Sequence, residues 1–341
     1  MTQSAHPTGL PLSPERIFAA MNAFQATAAL RGAIELEVFT AIAEGATTIP
    51  ALAARCQASE RGLRILCDFL TIQGFLTKNG ETYGLAEDSA IFLNKHSPTY
   101  FGSVATFMNS SHLMDAFGNL AETVRRGTTL LSGDGSMDPE HPMWIEFARS
   151  MIPMMMPAAQ EIAASVSTLN PCRVLDIAAG HGIFGITIAK QNPHAEITAL
   201  DWANVLTVAQ ENAQAFGVAE RYQTLPGSAF ELDWGTDYDL ILFTNFLHHF
   251  DVPTCEALIR KASAALNENG RVITLEFVPN EDRITPPPLA MFSLVMLAMT
   301  THGDAYTFAE YDQMFRAAGF VRNEMQQLTK SPQRIIVSSR Q

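Results

Sequence analysis

Val174-Leu175-Asp176-Ile177-Ala178-Ala179-Gly180-His181-Gly182-Ile183-Phe184-Gly185 is the stretch on which the fold of this 341-residue chain turns. The apolar run Val174, Leu175, Ile177 ends in small residues, and an apolar-periodic segment from Ile183 to Ala189 follows. Strand, tight turn and helix are therefore expected in succession. Glycines at 180 and 182 let the backbone come close to a ligand, and the first N–H groups of the next helix face the same point. This is the opening of a nucleotide-binding α/β domain.

Two ligands fit the letters of that loop. Gly180, Gly182 and Gly185 satisfy the Gly-x-Gly-x-x-Gly pattern of dinucleotide binders, with Asp201 at the end of the next strand as ribose ligand. Asp176 favours the other, because a carboxylate ending the first strand opposes a pyrophosphate but suits the positive methionyl part of S-adenosylmethionine. A nicotinamide cofactor remains the alternative, and a purely structural turn ranks below both.

Downstream, a parallel sheet is expected from strands at 173–177, 196–200, 222–225, 240–245 and 271–277. Val205, Val208, Ala209, Ala213 and Phe216 form one crossover stripe, and Leu258, Ala262, Ala265 and Leu266 another. A further helix at 311–318 and an antiparallel pair at 320–328 and 334–338 close the chain. Asp201 is set to accept hydrogen bonds from ribose hydroxyls, the alternative being a helix N-cap. Trp202 is set to cover the adenine, and the turn Gly227-Ser228-Ala229-Phe230 to meet its edge. The strand at 240–245 runs into Thr244-Asn245-Phe246-Leu247-His248-His249, at the carboxyl end where a reacting substrate is presented. Asn245 is placed among the cofactor contacts. His248 suits a general base, since its reference pKa of about 6.5 leaves it neutral while a phenol near 10 keeps its proton. Glu276, ending the next strand, would fix the imidazole tautomer. The competing reading is a histidine that merely closes the strand end.

Upstream, residues 13–96 carry helical periodicity: Ile17, Phe18, Met21, Phe24, then Leu30, Ala33, Ile34, Leu36, Val38 and Phe39. Pro14 after Ser13 suits a helix start. Short helices at 49–57 and from Glu60 precede a hairpin around Asn79-Gly80. Helix, helix, wing is a winged-helix order, shared by DNA-binding domains. Residues 1–100 hold seven Lys and Arg against nine Asp and Glu, a poor footprint for phosphate contact. The apolar first helices suit burial against a second subunit instead. Helices continue over 101–126, residues 127–142 suit a flexible connection, and one helix is expected over 143–164. Its Met-rich stripe reads equally as core or as an adaptable pocket for a flat ligand.

The hydrophobic content of 47% supports two sizeable cores, and the net charge of -13 argues against nucleic acid or anionic membrane as partners. Residues 1–12 show no secretory signal, and 289–299 is too short to span a bilayer. Cysteines 56, 67, 172 and 255 form no Cys-x-x-Cys pair, so free thiols, a reducing cytoplasmic location and no metal site are expected.

From about Met143 to the end, and more loosely before it, the chain resembles the metal-independent O-methyltransferases. These include plant caffeic-acid-type and hydroxyindole enzymes and bacterial tailoring enzymes. The resemblance implies a homodimer with a winged-helix-like dimerisation domain. It places the family's glycine loop on residues 176–182, its ribose acid on Asp201 and its adenine segment on Gly227-Ser228-Ala229-Phe230, with Ser and Ala where the family has Asp and Met. It places the catalytic histidine on His248, followed by His249-Phe250 where plant members have Asp-Trp, and the orienting acid on Glu276. Phe147 and Met151 match aromatic-substrate contacts, and Met291 and Met296 are assigned with them. A second acid of plant members falls on Ala305 beside Asp304, and a strand lysine on Thr244.

The fold expected is thus α/β, a Rossmann-like seven-stranded methyltransferase domain at 167–341 behind a mostly helical dimerisation domain at 1–110. Residues 111–166 form a helical connection contributing to the substrate pocket. The function expected is transfer of a methyl from S-adenosylmethionine to a hydroxyl of a small aromatic or polyketide-like molecule. Carbon or nitrogen methylation, or a ligand-sensing regulator, are the alternatives.

Overall fold

A computed structural model describes residues 13–133 and 141–341, in two units that divide after Asn109. Residues 1–12 and, within the connection expected at 127–142, residues 134–140 lie outside the described residues.

The first unit holds α1 (Glu15–Glu35), α2 (Val38–Ala43), α3 (Ile49–Cys56), α4 (Glu60–Ile72), the antiparallel strands β1 (Leu76–Asn79) and β2 (Thr82–Leu85), α5 (Glu87–Phe92) and α6 (Gly102–Met108). Helix, helix and wing follow in the expected order. Ser59 caps α4, its Oγ accepting the Gly62 N–H at 3.1 Å, and Glu60 in the first turn complements the helix dipole. Phe39, Leu52, Leu63 and Leu70 are sealed in this unit's core, each contributing about 1.5–3 kcal/mol of burial. The apolar period from Ile17 to Phe39 does not continue through one helix: the chain breaks at Glu37, which sits at φ 58°. On α1, Ile17, Phe18, Met21 and Phe24 are 56–65% exposed.

The second unit begins with α7 (Ser111–Ala116), α8 (Leu120–Arg126), α9 (Met143–Ser150) and α10 (Ile152–Val166). It continues as β3 (Arg173–Ile177), α11 (Ile183–Gln191), β4 (Glu196–Asp201), α12 (Ala203–Ala215), β5 (Tyr222–Pro226), β6 (Tyr238–Thr244), α13 (Val252–Ala265) and β7 (Leu266–Glu276). Then come α14 (Pro287–Ala290), α15 (Phe292–Met299), α16 (Phe308–Ala317), β8 (Arg322–Gln327) and β9 (Arg334–Ser339). The seven strands order as β5-β4-β3-β6-β7-β9-β8, all parallel except β9, which runs against both neighbours. Chain order reverses between β3 and β6, so their carboxyl ends open a crevice where a ligand belongs.

The single helix expected over 143–164 is two. Pro153, second residue of α10, has no N–H to give the Arg149 carbonyl, so α9 ends at Ser150 and α10 starts afresh. Strand β7 starts five residues earlier than expected, its pairing with β6 shifting between Tyr238 and Leu240. On one face of the sheet, Leu175, Ile241 and Phe243 pack with Ile259 of α13 and Phe315 of α16 in one core.

Candidate active site

The loop after β3 is held from below by its own carboxylates. Asp176 is wholly buried; its Oδ2 accepts the Gly185 N–H at 3.1 Å and its Oδ1 has no partner. Burial pushes its pKa up to about 7. In the chain described Asp176 lies under the loop, with its side chain turned toward the first turn of α11, and it is not among the residues that line the cleft. Gly185 serves packing rather than a ligand, since a Cβ there would meet Ile197 Cγ2 at 2.7 Å and Asp176 Oδ2 at 3.1 Å. Gly180 and Gly182 sit at φ +58° and +73°, which only glycine adopts freely.

Asp201 ends β4 with both oxygens engaged. Oδ2 accepts the Gly180 N–H at 2.8 Å and Oδ1 the Trp202 N–H at 2.7 Å. It does not cap α12, which has no side-chain cap. Each oxygen keeps a lone pair, and burial raises the group to about 6. Asp201, Trp202 and the segment Gly227 to Phe230 together line a cleft of about 570 Å³, with Phe246, His249 and Thr301 further along its wall. The structure thus brings these expected residues together at one end of a single cleft.

At the end of β6 a short turn, Leu247–His249, carries the two histidines. Glu276, wholly buried at the end of β7, gathers this turn: its Oε1 accepts the N–H groups of Phe246 (3.0 Å), Leu247 (2.9 Å) and His248 (3.4 Å). Its Oε2 hydrogen-bonds His248 Nδ1. A carboxylate only accepts, so Nδ1 carries the hydrogen and Nε2 the lone pair. The Phe292 ring stands edge-on to His248 at 4.9 Å and stacks on Phe277 at 3.9 Å. On the other side the His249 ring lies 4.2 Å away. Sequence reading passed over Phe292 and His249; the doubled histidine was a signal for the latter, whereas nothing singled out Phe292 from the apolar run around it.

Other expected residues are placed differently. Asn245, assigned to the cofactor, spends its amide on protein: Oδ1 accepts from Gln333 Nε2, and Nδ2 lies 3.5 Å from Met155 Sδ. It takes φ 56°, which lets the chain turn from β6 toward Glu276. None of the four substrate candidates lines the cleft. Phe147 stacks on His181 at 6.2 Å, Met151 and Met296 are buried, and Met291 is 70% exposed. Phe147 and Met151 were expected from the family resemblance and Met291 and Met296 with them; in the chain described none of the four borders this cleft. Ala305 is buried and its neighbour Asp304 pairs with Arg283 at 3.2 Å, so no second acid meets the imidazole there.

Comparison with known proteins gives the following. Residues 140–321 match the family model of the O-methyltransferase domain, and residues 18–95 that of the O-methyltransferase dimerisation domain. A solved structure of a candidate O-methyltransferase from Nostoc punctiforme is 52% identical, covers 96% of this chain and 99% of its own, and superposes with a TM-score of 0.94. The 3-hydroxy-5-methyl-1-naphthoate 3-O-methyltransferase of Streptomyces sahachiroi is 28% identical over 86% of this chain and 85% of its own. Human N-acetylserotonin methyltransferase in complex with SAM shares the fold, with a TM-score of 0.78 at 24% identity over 98% of this chain and 99% of its own. Among the described residues no helix is long and apolar enough to cross a membrane.

Proposed function

The chain belongs to the O-methyltransferase family and carries its dimerisation domain, and from that premise we propose that it methylates a hydroxyl of a small aromatic or polyketide-like molecule with S-adenosylmethionine as donor. The observation carrying this reading is the continuity of one cleft from Asp201 to the turn that bears His248 and His249. The residues fit the donor: Asp201 oxygens accept from ribose hydroxyls, and Trp202 and Phe230 flank the base. When bound, S-adenosylmethionine supplies an electrophilic methyl group. His248 Nε2 takes the acceptor's hydroxyl proton, and Glu276 stabilises the imidazolium that results. Orientation within the cleft contributes most of the rate, on the order of 7–11 kcal/mol in favourable cases, and the base a further 10²- to 10⁴-fold, roughly. The base is an imidazole, so the mechanism we propose is metal-independent.

Residues 1–110 form the dimerisation domain in this reading, 111–166 a helical connection bordering the acceptor pocket, and 167–341 the donor-binding domain. The exposed Ile17, Phe18, Met21 and Phe24 face of α1 is covered by a second copy. The partners are a small acceptor and a second copy, not nucleic acid or membrane, and the acidic chain with free cysteines works in the cytoplasm.

Calorimetry with S-adenosylhomocysteine tests the donor site. Asp201→Ala should weaken binding by about 1.5–3 kcal/mol, the range for hydrogen bonds to a charged group. Binding of NAD with indifference to S-adenosylhomocysteine would overturn the reading. A mass-spectrometric acceptor screen then separates oxygen from carbon and nitrogen methylation.

A further inference from the structure

The segment after β5, expected to meet the adenine edge, has already spent most of its acceptors on protein. Ser228 O takes the N–H groups of Glu231 (3.1 Å) and Leu232 (3.0 Å). Ala229 O takes Lys261 Nζ at 2.8 Å and Trp234 Nε1 at 3.0 Å, so each carbonyl has two donors for its two lone pairs. Lys261 also reaches Phe230 O at 3.2 Å, and Ser228 Oγ accepts the Phe230 N–H at 3.2 Å. The serine hydroxyl still has a hydrogen to give, which suits a ring nitrogen rather than an amino group.

Adenine carries a 6-amino group, and the same cleft holds an acceptor for it on another element. Asp251 caps α13, its Oδ1 accepting the Thr254 N–H at 2.9 Å, and it lines the cleft together with Ser228. A carboxylate offers about four lone-pair sites, so the cap leaves others to spend. Hydrogen bonds from the Thr254 side chain and backbone hold its pKa below the ordinary aspartate value, which keeps it ionised at neutral pH. Two rings join its wall to the serine's: Phe250, next in the chain to Asp251, stands edge-on to Phe230 at 5.2 Å. The cleft has two other carboxylates. Asp201 serves the ribose, and Glu231 is exposed, where water competes for it.

We propose, on the basis of the S-adenosylmethionine reading, that Asp251 reads the 6-amino group of the adenine: its carboxylate accepts from that group, while the Ser228 hydroxyl donates to a ring nitrogen. The chain thus selects a 6-aminopurine through the cap of α13 rather than through the turn after β5. A charged acceptor makes the stronger hydrogen bond, and a base without the amino group sets a C–H edge against a carboxylate that binding has taken out of water. Polar groups left unpaired in this way are what give a site its discrimination.

The test is calorimetry on the full chain with two probes: S-adenosylhomocysteine, and its analogue with purine in place of adenine, which lacks only the amino group. Wild type should bind the first more tightly by about tenfold or more, the scale of one hydrogen bond to a charged group. Asp251→Asn keeps the cap, since the Thr254 N–H holds the amide oxygen and leaves the NH₂ where the second oxygen was. Tm should therefore stay put while the preference vanishes or inverts, because an NH₂ opposes the 6-amino group. Adding Ser228→Asp to Asp251→Asn should restore part of the preference from the other wall, and Glu231→Gln alone should leave it as it is. Equal binding of the two probes by wild type, or an undiminished preference in Asp251→Asn, makes Asp251 a cap only and overturns this inference while S-adenosylmethionine binding stands. If Asp251→Asn does not fold, Asp251→Ser, an uncharged cap, decides in its place. No binding of S-adenosylhomocysteine by wild type overturns the underlying reading and this one with it.

Discussion

Glu276→Gln is the sharpest perturbation of the proposed base, because it changes one atom and the geometry dictates which. Three backbone N–H groups converge on Oε1, at 3.0, 2.9 and 3.4 Å, and only the imidazole meets Oε2. A glutamine therefore keeps its carbonyl oxygen toward the three donors, since the reverse orientation sets its NH₂ against them. The NH₂ then faces His248 Nδ1, which must accept rather than donate. The imidazole switches to the Nε2–H tautomer and its outward lone pair is gone, so the side chain no longer removes a proton. The expected loss in kcat is the full worth of a general base, on the order of 10²- to 10⁴-fold, or about 3–5 kcal/mol in the barrier. The loop stays gathered, so S-adenosylhomocysteine affinity and Tm should barely move. Single-turnover kinetics at pH 7 with an identified acceptor measure the loss. Raising the pH toward the acceptor's own ionisation, about 10 for a phenol, should restore rate relative to wild type. Adding His248→Gln to Glu276→Gln should cost little more, as the two act as one unit. A Glu276→Gln enzyme within about threefold of wild type at pH 7 would refute the dyad and leave methyl transfer by positioning alone.

Two further outcomes concern assembly and pH. Light scattering at micromolar concentration should return about twice the chain mass of 37.2 kDa, and Phe24→Glu on the exposed face of α1 should halve it; a wild-type mass of one chain contradicts the dimer. Asp176, raised from 3.8 to about 7 by burial, keeps a proton in the folded chain that the unfolded chain has released. Its contribution is therefore whole below about pH 4 and lost as pH rises toward 7, at most about 4 kcal/mol, so Asp176→Asn should gain stability relative to wild type between pH 5 and 8. Parallel Tm curves for the two proteins would rule this out.

The sequence by itself determined the seven strands, the place of Asp201 at the end of β4, and the meeting of His248 with Glu276. Each is a local signal: strand periodicity, glycines where the chain must take positive φ, and polar residues at strand ends that a parallel sheet brings to one edge. The break after Ser150 was legible too, in Pro153, and was outweighed by the apolar stripe running through it. Only the tertiary structure decided which way side chains face once strands are ordered. Asp176 turned under its loop, since its β3 position lies between two packed layers. Asn245 turned to Gln333, which lies 88 residues away and is brought near by β9 running antiparallel beside β7. Phe292 came to His248 across a gap half as long. Such pairings arise from packing between elements, and no period along the chain encodes them.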